Sequence, residues 1–159
     1  MRVGLEYGDG KLWIELPDDR TTVINPIYDS AIADPIAAIQ KAIKEPIASR
    51  PLREIVQRGQ SVAISVCDVT RPQLRKEAVG AIISELEGIT TPEDVLIMIA
   101  TGTHRSNTPE ELEQMLGHEI VNTYRVVNHV ASDPSTLVDL GVLGDGVPVS
   151  LNKEWIAAD

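Results

Sequence analysis

The chain contains no phenylalanine, only 3% aromatic residues and a single cysteine, Cys67. One cysteine excludes an intrachain disulfide framework and any cysteine-clustered zinc site, and it suits a reducing compartment, so a cytoplasmic location is expected. Long apolar runs are also missing. Nothing approaches the roughly 18 to 20 uncharged residues of a membrane span, and the opening MRVGLEYGDGKLWIELPDD carries acids where a signal peptide has its apolar run. Neither secretion nor membrane insertion is therefore expected. Positive charge is scarce too, with 14 Lys plus Arg against 24 Asp plus Glu and a formal net charge of −10. Such a surface repels nucleic-acid backbones and anionic membranes. What remains is 159 residues, 43% of them hydrophobic, enough for one domain with a sizeable core. Without Phe that core falls to Ile, Val, Leu and Ala, the mixture of strands buried between helices, and the expected class is α/β.

Hydrophobic spacing divides the chain into a β-rich start and a strand–helix alternation. Val3, Leu5 and Tyr7, then Leu12, Ile14 and Leu16, follow a period of two on either side of Gly8-Asp9-Gly10, which predicts a β-hairpin. Residues 21–24 are expected to add a short strand. Asp34-Pro35 has the form of a helix start, cap then first helical residue, for a helix ending near Pro46. One or two further turns are expected over 51–58, with Gly59 as the stop. Val62 to Val66, Val95 to Ala100 and Tyr124 to Val127 are short apolar runs of buried-strand length. A helix ending at Gly88 separates the first two, and one opened by the Thr108-Pro109-Glu110-Glu111 capping box separates the last two. Residues 137–151 read as a terminal hairpin. With no internal repeat or flexible linker, the expectation is a single domain over 1–159 with a β-rich extension over 1–30.

In a sheet of parallel strands joined by helices, ligands bind outside the carboxyl ends of the strands. Asp68-Val69-Thr70-Arg71-Pro72 follows the first buried run, Thr101-Gly102-Thr103-His104-Arg105 the second, and Asn128-His129 with Asp133 the third. Arg71, read as lying beside a helix start, suits an anionic ligand, because a guanidinium grips a carboxylate or phosphate with two parallel hydrogen bonds. His104 is the residue type for proton exchange near neutrality, and Asp68 the type to orient it. Thr101, Gly102 and Thr103 offer hydroxyls and closely approachable backbone. Plainer readings stand beside these. Asp68 or Thr70 suits a helix cap, Thr101 and Thr103 suit an ordinary turn, and His129 suits a hydrogen-bonded loop or core position. His118 reads as surface or packing, Cys67 as core, and Glu85, Glu87 and the acids of 110–113 as solvated helix faces. The three histidines, at 104, 118 and 129, match no zinc-helix motif, and no P-loop, dinucleotide fingerprint or nucleophile elbow is present.

Together and in this order, Asp68-Val69-Thr70-Arg71-Pro72 and Thr101-Gly102-Thr103-His104-Arg105 resemble the N-terminal domain of the nickel-dependent lactate racemase family. Asn128-His129 and Leu137-Val138-Asp139-Leu140-Gly141 resemble it too. The resemblance implies a Rossmann-like parallel sheet flanked by helices, with the N-terminal β-hairpin as an extension. It implies an isomerase of lactate or a related 2-hydroxy acid that uses a nickel-pincer nucleotide. In that chemistry a hydride leaves the substrate carbon for the cofactor while a histidine takes the hydroxyl proton, and the planar 2-keto acid is reduced on either face. Carried over by motif, His104 is one of two acid/base histidines, Arg71 holds an anionic group and Asp68 supports the cluster. Thr70, Thr101, Gly102 and Thr103 line the cofactor cleft. The tethering lysine, the nickel-ligating histidine and the second acid/base histidine are expected beyond Asp159, so no metal ligand is assigned within the chain. The final LNKEWIAAD reads as a chain ending inside an element, so a piece of a longer protein is expected, inactive alone, whose partner is a C-terminal domain. A natural half meeting a separate partner is the alternative to that, and an exposed apolar face admits a homodimer. A non-catalytic anion-binding or interaction module is the alternative function.

Overall fold

The computed structural model describes residues 1–159, which divide into two compact units, Met1–Ala31 and Ile32–Asp159. The first unit is the expected hairpin. Strands β1 (Arg2–Tyr7) and β2 (Gly10–Glu15) pair antiparallel, with Tyr7 opposite Gly10. Gly8 in the turn has φ of 58°, a conformation that only glycine adopts freely. Val3 opposes Ile14 and Leu5 opposes Leu12, as the alternation requires. The short strand expected over 21–24 does not form. Val23 and Ile24 are exposed, and no neighbouring strand offers them a ladder to join.

In the second unit, α1 (Pro35–Lys44) is capped by Asp34, whose carboxylate accepts the Ala37 N–H at 2.9 Å. A single turn, α2 (Leu52–Ile55), follows, and Gly59 ends that passage with φ of 85°. The three apolar runs then become β3 (Val62–Cys67), β4 (Val95–Ala100) and β5 (Arg125–Asn128), a parallel sheet in the order β3-β4-β5. Between them run α3 (Arg75–Leu86), α4 (Pro109–Leu116) and α5 (His118–Thr123). The fold is α/β, a parallel sheet flanked by helices. Thr108 and Glu111 form the capping box in full, the hydroxyl accepting from Glu111 N and the carboxylate from Thr108 N. The last segment is the antiparallel hairpin β6 (Leu137–Leu143) and β7 (Val147–Asn152), then the short α6 (Lys153–Ile156). No helix is long and apolar enough to cross a membrane.

The core lies on one face of the sheet. Ile64 and Val66 of β3 and Val95, Ile97 and Ile99 of β4 pack with Val79 of α3 and with Met115 and Leu116 of α4. On the other face Ser65 is exposed, and it shares a shallow hollow with Met98, Leu151 and Trp155. One helix acid departs from expectation. Glu85 is 8% exposed rather than solvated, because α1 packs over it and Lys44 Nζ meets its carboxylate at 3.4 Å. Glu87 is exposed as expected.

The register is what positions the site. Cys67 pairs with Ala100 and Ile99 with Asn128, so the three carboxyl-terminal tips lie side by side. Truncating Ile97, which has no exposed surface, to Ala should cost about 2–5 kcal/mol, whereas Val142→Ala on the exposed hairpin should stay within about 0.5 kcal/mol. Urea unfolding of the two variants checks this.

Candidate functional site

Asp68 is the first residue past β3 and is buried, with 4% of its side chain exposed. A carboxylate so enclosed needs donors, and it has them. Oδ1 accepts the Thr70 hydroxyl at 2.6 Å and the Thr70 N–H at 3.1 Å. Oδ2 meets His104 Nδ1 at 2.5 Å, across from the β3 tip to the β4 tip. These contacts hold the Asp68 carboxyl down at about 2, against an ordinary 3.8; the Thr70 hydroxyl contributes most, then His104, and together they override the desolvation that works in the opposite direction. Neither Asp68 nor Thr70 caps the following helix, whose N-cap is Leu74.

An ionised carboxylate can only accept, so the bond at Nδ1 places a proton on that nitrogen. Nε2 is then the ring nitrogen left for chemistry, and the His104 side chain is 47% exposed. An imidazole fixed through one nitrogen by a buried acid, with the other nitrogen open, is the arrangement of a general base.

His104 is brought to Asp68 by a tight turn. Its N–H donates to the Thr101 carbonyl at 3.0 Å, and Gly102 between them has φ of 58°. Thr101 is buried, and its hydroxyl donates to the His129 carbonyl, so it ties the β4 tip to the β5 tip and is not presented to the cleft. Thr70 is likewise engaged with Asp68. Gly102 and Thr103 are exposed, with nothing near the position a Gly102 side chain would take.

The two arginines of the motifs separate. Arg105 is neutralised by Glu111 in a bidentate pair at 2.7 and 2.8 Å, which with the Thr108 N–H lowers the Glu111 carboxyl to about 2. The guanidinium of Arg71 has neither an acidic partner nor a hydrogen bond, and it is exposed. Its setting differs from expectation in one respect: α3 begins at Arg75, so Arg71 lies four residues before the helix rather than at its start.

His129 takes the plainer role, its Nδ1 accepting from the buried Asn152 amide at 3.3 Å. His118 is exposed, beside Glu113. Three buried polar residues, Asn152, Asn107 and Arg75, lie outside the residues the motifs single out. Asn107 exchanges bonds with Asn128, N–H to Oδ1 at 2.9 Å and Nδ2 to carbonyl at 3.1 Å, joining the β4–α4 loop to β5. Arg75 reaches back from α3 into the Asp68 loop. A basic residue in the first turn of a helix opposes the helix dipole, and that was the available signal.

The rim is open rather than enclosed. A hollow of about 610 Å³ lies elsewhere, between α3 and the α4–α5 segment. As a donor set, unpaired Arg71 and the open backbone at Gly102 fit an anionic group, either a substrate carboxylate or a cofactor phosphate. Nowhere do three His, Cys, Asp or Glu side chains converge as a metal ion requires, so these residues do not fit nickel itself.

Comparison with known proteins now decides the family. The model of the lactate racemase N-terminal domain matches residues 7–159. The chain belongs to this lactate racemase N-terminal domain family. It is 29% identical over 160 residues to the lactate racemase of Lactiplantibacillus plantarum, covering 92% of this chain and 38% of that protein. To the lactate racemase of Thermoanaerobacterium thermosaccharolyticum it is 25% identical, covering 99% of this chain and 38% of that protein. The solved apoprotein of the latter superposes with a TM-score of 0.77 at 26% identity, over 100% of this chain and 37% of that one. A Thermotoga maritima protein gives a TM-score of 0.60 at 20% identity over 75% of this chain and 30% of that one, a likeness of fold alone. The chain thus spans 38% of the length of the two curated relatives.

Because the folded Asp68 value lies below the ordinary 3.8, its contribution to stability is complete above about pH 4 and disappears as pH falls toward 2. In Thr70→Val the Asp68 titration should move up from about 2 toward 3.8, and the acid-side loss of stability should become shallower. Site-resolved carboxyl carbon NMR and urea unfolding at a series of pH values measure both.

Proposed function

We propose that this domain supplies the proton-handling and anion-binding wall of the active site of a racemase of lactate or a closely related 2-hydroxy acid. The observation that carries the reading is the Asp68–His104 pair, whose Nε2 is left open at a rim that also bears the unpaired Arg71. Racemisation at a carbon bearing a hydroxyl and a carboxylate needs a base for the hydroxyl proton and a cation for the carboxylate. His104 Nε2 takes the proton and returns it, and Asp68 holds the ring in the tautomer that permits this. Arg71 binds the carboxylate and so fixes which end of the substrate faces the histidine. Both relatives are lactate racemases by name, which supports the same substrate class here.

The nickel-pincer nucleotide that the family resemblance implies supplies, when bound, the acceptor for the hydride. On this reading Gly102 and Thr103 border it, with Thr70 and Thr101 acting through the loops they brace. Its tethering lysine and nickel ligand come from a C-terminal domain, and the longer relatives have chain to provide one. Residues 1–159 alone are then inactive, and they occupy one domain of a cytoplasmic enzyme.

The alternative of a non-catalytic anion-binding module shares Arg71 but gives His104 no task. In a protein of the relatives' length that contains this domain, His104→Ala should lower lactate racemisation by about 100- to 10,000-fold, and Arg71→Ala should chiefly raise KM. Turnover unchanged in His104→Ala, with lactate binding lost in Arg71→Ala, would favour the binding module. Racemisation by residues 1–159 alone would overturn the division of labour between domains.

A further inference from the structure

Arg75 opens α3 and is 7% exposed, yet no carboxylate pairs with it. A buried guanidinium without a counter-charge is costly unless its N–H groups find acceptors. The acceptors here are all backbone carbonyls. Nε donates to Cys67 O at 2.7 Å, and Nη2 donates to the carbonyls of Asp68 and Arg71. Its position at the amino end of a helix is electrostatically unfavourable as well, since the helix dipole there favours anions. An apolar residue would fill the same space without either cost, so packing alone does not account for an arginine.

The three carbonyls belong to the segment that carries Asp68, Thr70 and Arg71. The other ties in this stretch are the two Thr70 bonds to the Asp68 carboxylate, the Arg71 N–H to Asp68 O at 3.3 Å, and the Gln73 amide oxygen, which accepts from Cys67 N–H at 3.1 Å; none of them crosses from the loop to α3. We propose that Arg75 is a positioning residue of the site, a planar fork that fixes the Cys67–Arg71 backbone so that the Asp68 carboxylate faces His104 and the Arg71 side chain stays at the rim. Arg75 itself touches no reacting atom. The planarity matters, because a lysine ammonium on a flexible stem keeps the charge but cannot present the same rigid set of donors.

The functional value of this role rests on the racemase reading, but its test needs neither substrate nor cofactor. Asp68 and Glu111 serve as paired reporters, since both carboxyls are held at about 2 by different partners, Asp68 by Thr70 and His104, Glu111 by Arg105 and Thr108, and only the first set includes the segment that Arg75 grips. Carboxyl carbon NMR from pH 6 down to about pH 1.5 follows both in the unaltered chain, Arg75→Lys and Arg75→Met. The expected result is an Asp68 titration displaced upward toward 3.8 in both variants, while Glu111 stays near 2. A merely structural arginine would lower the urea midpoint and leave Asp68 in place, which would overturn the proposal. An unmoved Asp68 in Arg75→Lys would overturn the fork, leaving charge alone. Joint displacement of Asp68 and Glu111, or failure of both variants to fold, would assign Arg75 to general stability and overturn it equally. If only Arg75→Met fails to fold, Arg75→Lys carries the measurement. Failure of the racemase reading shows separately, as undiminished turnover in His104→Ala.

Discussion

A carboxylate enclosed at the end of a parallel strand must be surrounded by donors, and at Asp68 each donor brings one part of the site with it. The Thr70 bonds curl the loop after β3, and the His104 bond draws in the loop after β4. That reach across loops is available because the strands are parallel and in register, so that Cys67 and Ala100 end their strands side by side. In an antiparallel pair the following turns would lie at opposite ends of the sheet. The core behind the sheet, built from Val, Ile, Leu and Met without a single Phe, holds this register through β-branched side chains on the covered face.

Around that carboxylate the remaining charges divide into those satisfied within the fold and those left outward. Arg105 and Glu111 neutralise each other while capping α4, and Glu85 with Lys44 seats α1 on α3. Arg71 alone of the motif arginines keeps its guanidinium free. The whole chain carries a formal charge of −10, yet the unpaired charge at this rim is positive. On the proposed reading, recognition of a small anion is decided over a few ångströms, where screening is least effective, and not by the field of the molecule.

Family membership and the geometry of the rim rest on independent observations. The family model matches residues 7–159 as a whole, while the Asp68–His104 bond is a fact of geometry that no such match contains. The two curated relatives extend well past the matched region. The proposal of a two-domain active site accords with that length.

Strands, caps and turns were legible from short-range pattern: Val62 to Val66 and Val95 to Ala100 as apolar runs, Asp34 and Thr108 as caps, Gly8 as a turn. Local rules govern these because the interacting atoms are a few residues apart. Residues 21–24 fail to form the expected strand for the converse reason, since a β-prone stretch without a partner strand makes no ladder. Position on a strand tip nominated Asp68, Arg71 and His104, but spacing held no information on which threonine would turn inward, which arginine would be neutralised, or that Arg75 and Asn107 would brace the loops. Two of those outcomes, Thr101 on His129 and Asn107 on Asn128, join atoms 28 and 21 residues apart in the chain, brought within hydrogen-bond reach only when parallel strands align their ends. Local chemistry thus set the elements and the residue types at their tips; the alignment of strands decided which of those side chains meet.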